Sequence, residues 1–284
     1  MVGNLLEAIA ERAAGLTKLE KRIAAYLTAN PDAVLVETSA AIAERSGVSA
    51  MTVTRFFKKL GFENVAAVRH VTKQQVYGPA ASRIGSRFDE FQKTRASLDN
   101  DAQYQAAIAS IRKVCDYRAK PIWQEITRLV ARADSVFVTG FQTMSYLATG
   151  LSLRLGYVRP NVHELDGGDG VYAKILTDPA PRRTLILIDV FRYGRNGPVL
   201  AKAARERGAD VIVFCDEFCH WAAEITPYVV ALPADSDFLF RSTLGIHFGL
   251  SLLTMDVADM LGDAVKRQLD LLSDAQELFG QYMK

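Results

Sequence analysis

The sequence predicts an all-α helix-turn-helix domain joined to an α/β domain with a doubly wound parallel sheet. Three observations carry this reading. Apolar residues recur at helical spacing through residues 5–75, a Gly-Val-Ser turn divides two of those periodic segments, and beyond Pro121 short β-branched runs alternate with helical stretches. The chain has 284 residues, 49% hydrophobic and 23% charged, which suits about two domains with sizeable cores. Expected boundaries are 1–77 for the helix-turn-helix domain, 78–121 for a helical connector and 122–284 for the sheet domain.

In the first domain, Leu5, Leu6, Ile9 and Ala13 mark one helix, Leu19, Ile23, Tyr26 and Leu27 a second, Ile42 and Ala43 a third, and Val53, Phe56, Phe57 and Leu60 a fourth. Gly15-Leu16-Thr17, Asn30-Pro31-Asp32 and Gly47-Val48-Ser49 cut between them. From about residue 78 to 122 the texture turns polar and Ala-rich, beginning at Gly78-Pro79, with helical patches such as Ile108, Ile111 and Val114. In the sheet domain, Ser135–Thr139, Thr184–Asp189, Val211–Cys215 and Tyr228–Leu232 read as strands, with another preceding Glu164. Residues 143–156, 198–207 and 242–261 read as helices. A last amphipathic stretch, Ala264–Tyr282, closes the domain or an oligomer interface.

Charge separates the two halves. Residues 1–120 hold 18 Lys and Arg against 12 Asp and Glu, whereas the remainder holds 16 against 20, so a basic part precedes an acidic one and different partners are expected. The first residues, MVGNLLEAIAERAAGL, mix acidic with apolar groups and do not read as a signal peptide. No apolar stretch is read as approaching the roughly 18–20 residues that span a bilayer. Three cysteines, Cys115, Cys215 and Cys219, do not make a disulfide framework. The expectation is a cytoplasmic, soluble chain with no membrane partner and no cofactor.

The informative segment runs from Ser39 to Phe62. A helix-turn-helix needs a small residue where helices cross, a turn glycine free to take positive φ, and apolar anchors on both helices. Ala43, Gly47 and the set Ile42, Val48, Val53 and Phe56 supply these, and Ser49 is placed to cap the second helix. On a helical wheel the apolar side of that helix leaves Met51, Thr52, Thr54, Arg55, Lys58 and Lys59 on the other. Arg55 can pair with guanine, Met51 and Thr52 can touch base edges, and Lys58 and Lys59 suit phosphates. The alternative is a helical hairpin whose polar face is merely solvated.

The run Leu16–Ala24, the stretch Gly47-Val48-Ser49-Ala50-Met51-Thr52-Val53-Thr54-Arg55-Phe56 and the close Leu60-Gly61-Phe62 resemble the N-terminal domain of RpiR/MurR-type bacterial transcriptional regulators. That resemblance implies a sugar isomerase (SIS) domain after it, dimers or tetramers built through that domain, repression as the commoner action, double-stranded operator DNA as partner, and a sugar phosphate or other small anionic effector. One recognition helix reads few base pairs, so a symmetric dimer reading two half-sites is also the physical expectation.

Two loops are candidates for the effector. Gly140-Phe141-Gln142-Thr143-Met144-Ser145 joins a strand to a helix; Gly140 permits a tight turn, while Gln142, Thr143 and Ser145 offer hydrogen bonds either to a ligand or to the helix end. Asp189-Val190-Phe191-Arg192-Tyr193-Gly194-Arg195 follows another strand. SIS domains that bind phosphosugars usually carry a Ser-x-Ser-Gly-x-Thr loop here, and this chain has Asp189 and Phe191 about where the serines stand. A carboxylate there repels phosphate unless Arg192 or Arg195 neutralises it. Either the two arginines clamp an anion with Tyr193 stacked on the ligand, or the loop is a salt-bridged turn in a domain kept for dimerisation.

Glu164-Leu165-Asp166-Gly167-Gly168-Asp169-Gly170 either faces the same cleft or is turn chemistry. Cys215, Cys219 and His220 are too few for a zinc site, and His247 reads as a core or interface residue. No nucleophile elbow, phosphate loop or His-Glu-x-x-His pair occurs, so no catalytic residue is assigned. The rival reading from another class is an isomerase or lyase with Asp189 or Glu164 as its base. A third is a DNA-binding protein whose second domain only dimerises.

Overall fold

The computed structural model describes residues 5–30, 33–77, 88, 91–92, 95, 100–168, 172–191, 193–219, 221–233, 240 and 242–280. It divides into two compact units. Residues 1–98, with 218–224 and 236–240, form one; 99–217, 225–235 and 241–284 form the other.

The first unit is helical: α1 (Leu5–Arg12), α2 (Lys18–Ala29), α3 (Ala33–Val36), α4 (Ser39–Ser46), α5 (Ala50–Lys59) and α6 (Val65–Tyr77). Its boundaries follow from local chemistry. Thr17 opens α2 with a capping box, its hydroxyl accepting from the Glu20 amide at 3.3 Å while Glu20 accepts from the Thr17 amide at 2.7 Å. Thr38 and Ser49 cap α4 and α5 by accepting from Ala41 and Thr52 amides. Gly47 ends α4 in the left-handed region at φ 62°, where a side chain would be strained. The apolar stripes meet inside: Ile23, Leu27, Ile42, Val53, Phe56, Phe57 and Leu60 are fully buried, and the Phe56 and Phe57 rings lie 5.6 Å apart.

The second unit begins with α7 (Asn100–Arg118) and α8 (Pro121–Arg132). Then come β1 (Ser135–Gly140), α9 (Ser145–Val158), β2 (Val162–Glu164), α10 (Lys174–Thr177), β3 (Arg183–Asp189), α11 (Asn196–Glu206), β4 (Asp210–Asp216), α12 (Ala222–Ile225), β5 (Val229–Leu232), α13 (Leu244–Leu261) and α14 (Asp263–Glu277). The five strands pair in parallel in the order β2-β1-β3-β4-β5. Helices cover both faces, so central strands read as continuous apolar runs. Leu185–Ile188 and Ile212–Phe214 are fully buried. Strand order reverses at β1, between β2 and β3, the topological position at whose carboxyl ends open α/β sheets bind ligands.

Much of the expected connector, 78–99, lies outside the described residues, and α7 belongs to the second unit. There it crosses α13 closely, because Gly245 offers no side chain: a Cβ on it would stand 1.9 Å from the Ser110 hydroxyl. Helix α13 corrects one expectation, since its 18 residues with mean hydropathy 1.3 are long and apolar enough to cross a bilayer. Its Ile246, Leu250, Leu253 and Val257 are buried in the core, and its Asp256 accepts from Trp123 and Arg118, so it is a core helix here.

Candidate nucleic-acid interface and effector site

Helix α5 presents the side the wheel assigned to solvent. Met51 is 64% exposed, an unusual state for methionine, and Arg55, Lys58 and Lys59 are exposed beside it. Thr52 and Thr54 are half-buried. Ser49 is exposed and works as the cap, sharing a 2.9 Å hydrogen bond with the Thr52 hydroxyl, while Thr54 donates to the Ala50 carbonyl at 3.1 Å. Arg55 and Lys58 thus stand on a helix fixed from beneath by Val53, Phe56 and Phe57.

Lys59 differs from its neighbours. Its ammonium donates to Glu20 at 2.7 Å and to the Gly15 carbonyl at 2.8 Å, tying the end of α5 to the start of α2. Burial alone would raise the Glu20 pKa, but its bonds from Lys59 and Thr17 outweigh this and hold it below the ordinary carboxylate value. The sequence reading missed Arg22, whose guanidinium covers the α4–α5 turn so closely that a Cβ on Gly47 would lie 2.1 Å from it.

In the second unit the two candidate loops leave adjacent strands, since Gly140 pairs with Ile188 and the Phe141 amide donates to the Ile188 carbonyl at 3.4 Å. Gly140 is required sterically, because a Cβ there would stand 2.4 Å from the Met144 carbonyl oxygen. Gln142, Thr143 and Ser145 are exposed, and no side chain caps α9. Gln142 sits at φ 54°, a left-handed conformation in a non-glycine residue. Tyr172 packs edge-on against Phe141 at 5.1 Å and covers Gly167, so the β2 loop folds beside the β1 loop. Glu164 accepts from Thr149 at 2.5 Å.

The β3 loop is built around an acid that the sequence did not flag. Asp216, at the end of β4 and fully buried, accepts from the Phe191 amide at 2.8 Å and from the Tyr193 hydroxyl. Asp189 is 3% exposed, Arg195 is exposed at the start of α11, and Arg192 lies outside the described residues. Asp169, Gly170 and His220 lie outside them too; Cys215 and Cys219 are buried, and no metal-binding cluster occurs among the described residues. His247 is exposed, and with Tyr146, Gly150, Arg154 and Leu250 it lines a small groove of about 70 Å³ between α9 and α13.

Residues 3–72 match the model of the helix-turn-helix domain of the rpiR family. No curated protein matches the chain. Among solved structures, the Vibrio vulnificus NanR protein complexed with ManNAc-6P superposes with a TM-score of 0.63 at 14% identity, covering 99% of this chain and 100% of that one. The sugar isomerase domain of an RpiR transcription factor from Sphaerobacter thermophilus superposes with a TM-score of 0.56 at 19% identity, covering 62% of this chain and 99% of its own. The chain therefore carries a helix-turn-helix domain of the rpiR family followed by a domain with the sugar isomerase fold.

Proposed function

We propose that this chain is a metabolite-responsive transcriptional regulator, a repressor that binds double-stranded operator DNA through α5. The observation that carries the reading is the exposed face of α5: Met51 and Arg55 stand ready for base edges and Lys58 for phosphate, on a helix capped by Ser49 and anchored by buried phenylalanines. Thr52 and Thr54 flank the base-reading side, and Lys59 fixes the helix end through Glu20.

The effector is a small metabolite held at the carboxyl ends of β1 and β3, by Gly140, Gln142, Thr143 and Ser145 on one side and Asp189, Arg192, Tyr193 and Arg195 on the other. NanR, of the same overall fold, was solved with a sugar phosphate. A sugar phosphate or carboxylate is the starting class here too. Regulation, not catalysis, is the role: Asp189, one candidate base, is buried, and Glu164, the other, already accepts from Thr149.

The working form is a cytoplasmic homodimer or a tetramer of it. Leu153 and Tyr157 on α9, Met255 and Met260 on α13 and Leu271 on α14 are between 43% and 67% exposed, more apolar surface than a lone domain gains from. A ligand regulates by favouring one arrangement of the two DNA-reading helices over another. Fluorescence anisotropy of the full-length protein on DNA from its own upstream region, against scrambled DNA across a salt series, tests the reading. Tighter binding to its own region, altered by a metabolite, is expected; equally weak binding to every genomic fragment tried would overturn it.

A further inference from the structure

We propose that Arg22, on α2, grips a phosphate of the DNA backbone beside the entrance of the recognition helix, from outside the helix-turn-helix segment itself. This rests on the reading of α5 as the DNA-reading helix and adds to its surface a cation from a neighbouring helix.

The place of the guanidinium is set by the turn it covers. Gly47 ends α4 at φ 62°, two residues before the Ser49 cap of α5. The guanidinium occupies the room that a side chain there would need: a Cβ on Gly47 would stand only 2.9 Å from its central carbon. Arg22 nevertheless stays exposed, and among the described residues no carboxylate pairs with it and no acceptor takes any of its five N–H groups. A planar guanidinium resting on backbone with its donors open is equipped to take a phosphate bidentately.

The rest of α2 shows that this charge does not serve stability. Lys18, Lys21 and Arg22 are exposed, and spacings of three and four residues bring them onto one face. Like charges so spaced repel, and cations in the first turns oppose the positive end of the helix dipole. The last turn, where they would be favourable, holds no basic residue. Glu20, the one acid of α2, is engaged by the Thr17 amide and the Lys59 ammonium. A polyanion removes both costs, because its phosphates neutralise the face and release counterions.

DNA supplies the phosphate where Arg22 stands. When the first residues of a recognition helix reach base edges in the major groove, the backbones on either side of the groove pass its two ends. Helix α5 has ten residues, about 15 Å of axis, against a groove about 12 Å wide. Arg22 covers the turn that leads into it, and Lys58 lies in its last turn, so the two cations suit phosphates on opposite sides of the groove.

The test is fluorescence anisotropy of the full-length protein, Arg22→Gln and Arg22→Lys on DNA from its own upstream region and on scrambled DNA, across a salt series, with thermal melting of each protein. Arg22→Gln is expected to bind both DNAs about three- to tenfold more weakly near 0.1 M salt and to lower the salt slope by about one. Arg22→Lys, which keeps the charge, is expected to hold the slope. The melting temperature of Arg22→Gln should stay level or rise, because a cation leaves the unfavourable end of α2. A mere strut for the turn would lower the melting temperature and leave the slope unchanged, and an unchanged slope overturns the inference. If Arg22→Gln does not fold, modification of wild-type arginines by phenylglyoxal, read by mass spectrometry, decides instead. Bound DNA is expected to protect Arg22, and full reactivity in the complex overturns the inference. A wild type that binds every DNA equally weakly overturns the regulator reading and this inference with it, whereas specific binding that is indifferent to Arg22 removes the inference alone.

Discussion

The ammonium of Lys59 stands 2.7 Å from a Glu20 carboxylate oxygen that also accepts the Thr17 amide at 2.7 Å, so a single oxygen joins the end of α5 to the cap of α2. The recognition helix is thereby fixed at both ends, by Ser49 at its start and by Glu20 at its finish. Lys59→Ala should cost about 0.5 kcal/mol of stability, because the pair is partly exposed and screened. It should leave the salt slope of DNA binding nearly unchanged, since a lysine already paired releases few counterions. The Glu20 carboxyl is held low, so its contribution is present above the ordinary carboxylate value and is lost as pH falls through its lowered folded value. Thermal denaturation of wild type and Glu20→Gln should therefore differ at pH 7 and converge only once pH has fallen below the lowered Glu20 value. A difference that persists in acid would rule out this linkage.

Arg55 and Lys58 are exposed on the same helix but are expected to act differently. Arg55→Ala should cost about 1–3 kcal/mol on operator DNA and little on random DNA, because a guanidinium paired with a base edge reads sequence. Lys58→Ala should weaken both DNAs alike and lower the salt slope by about one. Equal losses for Arg55→Ala on the two DNAs would reassign it to a phosphate.

Gly140 tests the effector loop without touching the DNA-reading unit. A Cβ at this position would lie 2.4 Å from the Met144 backbone oxygen, which cannot retreat as a side chain can. Gly140→Val should abolish the metabolite's effect on DNA affinity while DNA binding without metabolite stays within about threefold, a free-energy change below about 1 kcal/mol. Full metabolite response in this variant would remove the β1 loop from the site.

How much of this was legible depends on the range of the interactions. The α4–α5 turn could be read because Ser49 caps a neighbouring amide and Gly47 takes a left-handed φ, both local requirements. The strands were legible because Leu185–Ile188 is covered on both faces and keeps no polar alternation. Asp216 was not, since its partners Phe191 and Tyr193 are more than 20 residues away and meet it only when β3 and β4 pair. The tie between Lys59 and Glu20 is illegible for the same reason, since the two lie 39 residues apart in the chain. Leu244–Leu261 was not credited as long and apolar enough to span a bilayer, and the Gly245 contact that seats it against α7 depends on Ser110, which no periodicity connects to it.

Asp256 binds three helices into one core. Its Oδ2 accepts from the Trp123 indole at 2.7 Å and from Arg118 Nε at 3.0 Å, while Oδ1 accepts from the other end of the guanidinium at 2.6 Å. The two partners lose different things when the acid is removed. Arg118 is 47% exposed and recovers water, so its share of the loss is about 0–1 kcal/mol. Trp123 is 2% exposed, and its N–H would be left buried without an acceptor at a cost of about 1–3 kcal/mol. Asp256→Ala should therefore lower the urea midpoint by an amount set mainly by Trp123, with the slope unchanged. Asp256→Asn keeps an acceptor for the indole and should recover most of the loss, whereas Arg118→Ala should reproduce only a small part of it. If Arg118→Ala proved as damaging as Asp256→Ala, the ion pair rather than the buried indole would be what holds α13 against α7 and α8.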